Sequence, residues 1–212
     1  MSDDDDLTTS ALSRRDLLKH VGLAGAAVSL PVRLFAQGPV PFETLSASEG
    51  QMLEAIVARI IPSDENGPGA KEAGAAHYID RALSGALASS REAYVAGLAA
   101  LDRYARSSRR APFVQLSARD QDSVLIDVET GGATGFTPNA PTFFTMVRTH
   151  TIQGTFCDPY YGGNANFVGW DLLGYPGVRL SVAADLQRLD AHTPPNHRSA
   201  YDNAMFTKPR AK

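Results

Sequence analysis

The chain has one cysteine and one tryptophan in 212 residues, and it lacks the arrangements that most site chemistries need. Its five histidines contain no HxxxH pair and Cys157 forms no CxxC, so a four-ligand zinc site of ordinary spacing is excluded. No GxSxG elbow marks a hydrolytic nucleophile, and no CxxCH marks a haem attachment. The net charge of −3 gives no electrostatic case for nucleic acid, which requires a clustered basic face. No apolar run reaches the ~20 residues of a membrane span, and no alternating run is long enough to argue a sheet.

What is present describes an ordinary globular chain, 43% hydrophobic and 20% charged, long enough for one domain with a substantial core. The amino terminus is more specific. "SRRDLLK" places Ser13, Arg14 and Arg15 ahead of Leu17, Leu18 and Lys19, and the apolar run "VGLAGAAVSL" follows up to Pro31. An apolar core of about ten residues suits a secretory signal rather than a span. The order resembles the twin-arginine export signal, with Leu17 where Phe is usual; such a signal is read by a receptor and is not an anchor. Cleavage after Ala36 is the expected boundary, although Leu34 stands where a small residue is preferred. A twin-arginine route carries folded proteins, often with a cofactor or a partner, yet the remainder of the chain shows no cofactor motif of its own.

Four spans are expected: a signal segment over 1–36, a Gly/Pro linker over 37–43, a helical domain over 44–190 and an extended tail over 191–212. Helical periodicity carries the third. Ser46 and Glu49 form a capping box ahead of Met52, Leu53, Ile56, Val57, Ile60 and Ile61. "AKEAGAAHYIDRAL" is a second helical stretch, weakened at Gly74. A third aligns Tyr94, Leu98, Leu101 and Tyr104, and a fourth opens on Ser117 and Asp120 and buries Val124, Leu125 and Val128. "PTFFTMVRTHTIQGTF" makes a fifth, and "SVAADLQRLDAH" a last. The fold class is all-α, an irregular helical domain with a long Gly/aromatic-rich loop region and an extended tail.

The stretch "CDPYYGGNANFVGWDLLGYPG", residues 157–177, concentrates the lone cysteine, the lone tryptophan and five of the 18 glycines. A catalytic pocket, a cofactor loop and a docking surface compete to explain it. The glycines of "VLIDVETGGATG" follow a helix cap and run into Thr137-Pro138, against a dinucleotide loop. His77 with Asp80, and His150 with Asp158, have the types of acid-base pairs, but a histidine on a helix is more often a hydrogen-bonded packing residue. The stretch carries only Asp158 and Asp171 as titrating carboxylates and no histidine or basic residue. Gly162 and Gly163 permit positive φ or close backbone approach. Tyr160, Tyr161 and Trp170 offer amphipathic area suited to an interface. Cys157, odd in an exported chain, is either a buried thiol or one half of a bond to another chain. A tightly packed internal turn accounts for part of the stretch and a docking surface is the preferred addition, with Cys157, Asp158, Tyr160, Tyr161, Gly162, Gly163, Asn164 and Trp170 as partner-binding candidates.

Two blocks, "AIVARIIPSDENGPGAKEAGAAHYIDRAL" (55–83) and "GTFCDPYYGGNANFVGWDLLGYPG" (154–177), resemble the small-subunit family of bacterial flavin-dependent sugar and polyol dehydrogenases, the gluconate 2-dehydrogenase subunit 3 family. The resemblance spans residues 44 to 177 and leaves 178–212 unmatched. It implies a chain with no cofactor and no redox chemistry of its own. It also implies a large subunit of the glucose-methanol-choline (GMC) class carrying FAD, and a c-type cytochrome subunit with c-type haem as onward acceptor. The small subunit would supply the signal for the twin-arginine translocase, support maturation of its partner, and reside in the periplasm, held at the inner membrane through the cytochrome. The competing expectation is a stand-alone periplasmic hydrolase or binding protein that uses 157–177 as its pocket.

Overall fold

The structure, a computed structural model, describes residues 41–207. Six α-helices occur among them and no strand: α1 is Ala47–Ile60, α2 Ala75–Ala82, α3 Arg91–Arg109, α4 Ala118–Thr130, α5 Ala140–Phe156 and α6 Val168–Leu173. The all-α expectation holds. None of the described helices is long and apolar enough to cross a membrane. The export-signal residues Ser13, Arg14, Arg15, Leu17, Leu18 and Lys19 lie outside the described residues, as do Ala36 and the last five residues of the tail.

Helix α5 is the hub, with α1, α2, α3, α4 and α6 all packed against it. It starts where Asn139 accepts a hydrogen bond from the Thr142 amide at 2.9 Å, with proline in the first turn where no donor is lost. Phe143 and Val147 then meet Tyr94, Leu98 and Leu101 of α3 and Val124 and Val128 of α4 in one buried cluster. Each such side chain contributes on the order of 1.5–3 kcal/mol when taken from water. The close seat of α3 depends on Gly97: a Cβ there would stand 2.1 Å from the Phe143 ring. A bidentate ion pair, Arg59 to Asp122 at 2.6 and 2.9 Å, ties the end of α1 to α4.

The caps lie where the sequence places them. Ser46 and Glu49 bond reciprocally at the head of α1, and the Ser117 hydroxyl accepts from the Asp120 amide at 3.2 Å. The second helical stretch breaks at Gly74, whose φ of 72° makes it the left-handed residue from which α2 begins. The expected last helix over "SVAADLQRLDAH" is a correction: only a 3-10 turn, Ala184–Gln187, forms there. Val182 and Leu189 of that segment are exposed, so no apolar face is buried to offset the cost of nucleating a short helix. The last residues of the 37–43 linker are also pinned, with Phe42 stacked on His77 at 4.5 Å between ring centres.

Neither acid-base pair forms. His77 faces Glu54 at 3.8 Å, and Asp80, 2% exposed, accepts from three backbone amides, Glu43 at 2.6 Å, Thr44 at 3.0 Å and Leu45 at 2.7 Å. His150 is buried, its Nδ1 3.0 Å from the Tyr94 hydroxyl. Burial lowers the His150 pKa and raises that of Tyr94, so the phenol keeps its proton and the imidazole tautomer sets which of the two donates.

Two outcomes follow from these buried groups. Asp80→Ala leaves three amides without an acceptor and is expected to destabilise the chain by about 3 kcal/mol or more in urea unfolding; a loss below ~1 kcal/mol would contradict its anchoring role. His150, with a depressed folded-state pKa, contributes stability that is present above its unfolded value near 6.5 and lost as pH falls through the folded value. His150→Gln is expected to flatten that part of the stability–pH curve, which thermal melts between about pH 5 and 8 would read.

The Gly/aromatic-rich stretch as a candidate partner interface

An α-helix leaves its last carbonyls without intrahelical partners. In α5 the residues that follow take them up. The Asn164 amide donates to Gly154 O at 2.8 Å, the Trp170 indole to Phe156 O at 3.1 Å, and the Asn164 side-chain amide to Cys157 O at 2.9 Å. Asn164 is fully buried, and its remaining oxygen accepts from the Gly169 amide at 2.7 Å. The Ala165 amide continues to Ala73 O at 2.9 Å, tying the stretch to the loop ahead of α2.

The glycines serve this closure. A Cβ on Gly163 would stand 2.1 Å from Gly154 O, and one on Gly169 would stand 1.9 Å from Thr155 O. Gly162 takes φ 89°, and Asn164, Asn166 and Phe167 are also left-handed at 45°, 54° and 63°. Asn tolerates that region; Phe does not readily, so Phe167 holds a strained backbone that its tilted contact with Trp170 and its stacking on His197 offset.

The candidate residues therefore divide. Gly163, Asn164 and Trp170 point inward; Trp170 is 6% exposed and packs against Phe167 and Tyr175, so its area is spent within this chain. Cys157 is half-buried, with Sγ 3.7 Å from Gly154 O. Burial above all, and the Asp158 charge with it, push the thiol pKa up, against a pull from the Gly163 amide. Asp158 accepts from the Tyr160 amide at 2.9 Å, the Ser199 hydroxyl at 2.6 Å and the Ala200 amide at 2.8 Å. Tyr160 and Tyr161 are exposed at 60% and 51%, but Tyr201 stacks on the first at 3.7 Å and bonds the second through the hydroxyls at 2.8 Å.

The tail makes contacts that the sequence pattern does not signal. Ser199, Ala200 and Tyr201 fold back over Asp158 and the tyrosines, and His197 reaches Asp171 at 2.7 Å. These partners lie 26 to 42 residues apart in sequence, and no local pattern signals such pairing. A cleft of about 560 Å³ opens beside the stretch, lined by Phe156, Asp158, Trp170, Leu173, Gly174, Tyr175 and Pro176. Its one carboxylate is Asp158, already committed to three donors. Among the described residues no three of His, Cys, Asp or Glu gather as a metal-ligand group. "VLIDVE" is helical, and Gly131 closes α4 at φ 83°.

Trp170→Ala is accordingly expected to cost this subunit about 3–5 kcal/mol, read as a lowered melting temperature of the isolated chain. An unchanged melt together with lost partner binding would restore the anchor role instead.

The blocks that close on α5 are also those that identify the chain. The family model for gluconate 2-dehydrogenase subunit 3 matches residues 47–177, from the first helical residue of α1 to the glycine that ends the stretch. Neither a curated protein nor a solved structure matches the chain. The match covers well over half of the sequence and takes in every described α-helix, so the chain belongs to the gluconate 2-dehydrogenase subunit 3 family, whose members are subunits of a dehydrogenase complex.

Proposed function

We propose that this chain is the non-catalytic small subunit of a periplasmic flavin-dependent sugar, gluconate or glycoside dehydrogenase complex. Its partner is a GMC-type large subunit that holds FAD, and a c-type cytochrome takes the electrons onward. The small subunit supplies the twin-arginine signal and supports folding, maturation and export of the large subunit. One observation carries the reading: the family-specific stretch spends its key polar side chains on groups of this same chain. Asp158, Asn164 and the Trp170 indole all bond within the chain. Such a region builds a rigid surface, and rigidity before association lowers the entropy cost of binding. The sequence "SRRDLLK" supports export of a folded unit, and a folded small subunit is what a hitchhiking partner requires. Cys157 contributes a bond to the large subunit only if the partner's sulfur reaches its exposed side.

Arg14→Lys with Arg15→Lys is expected to hold both subunits in the cytoplasm and reduce periplasmic dehydrogenase activity to roughly a tenth or less, because the receptor reads the pair as an address. Undiminished periplasmic activity in that double variant would sink the co-export reading. A large subunit that is equally soluble and active when expressed without this chain would sink the maturation role.

A further inference from the structure

The family match stops at residue 177, but the chain does not, and the segment beyond it is organised in an unusual way. Residues 178–195 leave the domain and return to the point of departure. The neck closes through the Asn196 amide to Pro176 O at 3.1 Å, the Asn196 side chain to Val178 O at 2.8 Å and the Val178 amide to Arg198 O at 3.4 Å, with Arg179 also donating to Pro194 O. A Cβ on Gly177 would clash with Asn196 at 2.0 Å, so the neck is tight. Just past it, His197 on Asp171 and Ser199 and Ala200 on Asp158 fasten the returning chain to the family-shared stretch.

A loop with a closed neck ordinarily folds its own apolar side chains under itself. This one does the reverse. Leu180 is 57% exposed and Leu189 is fully exposed, with Val182 between them and Leu173 and Tyr175 exposed at the foot. Of the 13 large hydrophobic residues exposed among the described ones, nine lie at or beyond Tyr160. Apolar side chains left exposed along one closed loop are suited to contact with another molecule.

We propose that residues 178–195 form an arm that seats Leu180, Val182 and Leu189 in an apolar cleft of the large dehydrogenase subunit, and that the arm makes the small subunit selective for its own partner. The proposal rests on the function proposed above. Charge argues against a lipid surface: Arg179 and Arg188 are balanced by Asp185 and Asp190, and Arg188 is paired with Asp190 at 2.9 Å, leaving no cationic face for anionic headgroups. Area argues against a second copy held by the arm: these side chains expose a few hundred Å², short of the ~800 Å² that each side of a stable interface provides. An adjunct to a larger contact with a different chain fits both limits. The arm lies outside the family match, which suits a selectivity element rather than the shared docking surface.

The test is Leu180→Asp with Leu189→Asp, two exposed positions where the isolated subunit's melting temperature is expected to stay within about 2 °C of wild type. Association with the co-expressed, purified large subunit is expected to weaken about tenfold or more by a binding titration. Wild-type affinity in the double variant would overturn the arm alone. Weaker association accompanied by a lowered melting temperature would assign the leucines to this chain's own packing and also overturn it. Sedimentation showing a wild-type homodimer that the variant dissolves, with large-subunit binding intact, would make a second copy the occupant. Binding of the wild-type subunit, but not the variant, to phosphatidylcholine vesicles would make it lipid; either result overturns the proposal. A wild-type subunit that captures no large subunit at all would overturn the proposed function and the arm with it.

Discussion

Everything downstream of α5 depends on how that helix ends. Its last carbonyls need donors, and the chain supplies them from Asn164 and Trp170, residues placed after a reversal rather than along the helix. The reversal requires backbone to lie on backbone, which only glycine permits at Gly163 and Gly169. Asn164 is the pin: buried, left-handed, and bonded through its amide, its side-chain nitrogen and its side-chain oxygen to three different backbone groups. Because α5 also touches the other five helices, its closure at Gly154 and Thr155 sets the position of the stretch relative to the whole bundle.

That constraint explains the opening peculiarity of the sequence more fully than an interface does. Glycines, asparagines and a tryptophan are gathered there because a short reversal must satisfy a helix end, take left-handed turns and refill the space it vacates with aromatic area. The outward side of the same reversal is a separate matter. Asp158, Tyr160 and Tyr161 are held there by Ser199 and Tyr201 of the tail.

Local chemistry was legible. The capping box at Ser46 and Glu49, the Ser117 cap and the break at Gly74 each rest on neighbours within a few residues, so pattern alone located α1, α4 and the start of α2. The stripe through Tyr94, Leu98 and Leu101 was legible because a face in register with the helical period has one inside. The direction in which Trp170 points was not: an amphipathic ring reads alike whether it anchors a partner or fills an interior, and the answer lay in Phe156 O, 14 residues earlier. The tail was illegible for a related reason. Its apolar residues have the composition of a helix face, but a helix needs something to pack upon, and Leu180 and Leu189 stay largely exposed among the described residues. The folding back of Ser199 and Ala200 onto Asp158 joins residues some 40 positions apart, a pairing that no window of the sequence contains.

The two sides of the reversal imply different kinds of selection on a subunit of a dehydrogenase complex. Changes at Gly163, Asn164 or Gly169 act on whether this chain folds, because they act on α5. Changes in 178–195 leave the bundle untouched, since the loop is joined to it through its neck and carries its apolar residues outward. Under the proposed function, a chain exported folded with its partner needs both properties at once: a core that closes by itself before transport, and a surface that can be matched to one large subunit without disturbing that core. The helix-end closure supplies the first. Under the same proposal the segment after Gly177, joined to the bundle through its neck, supplies the second.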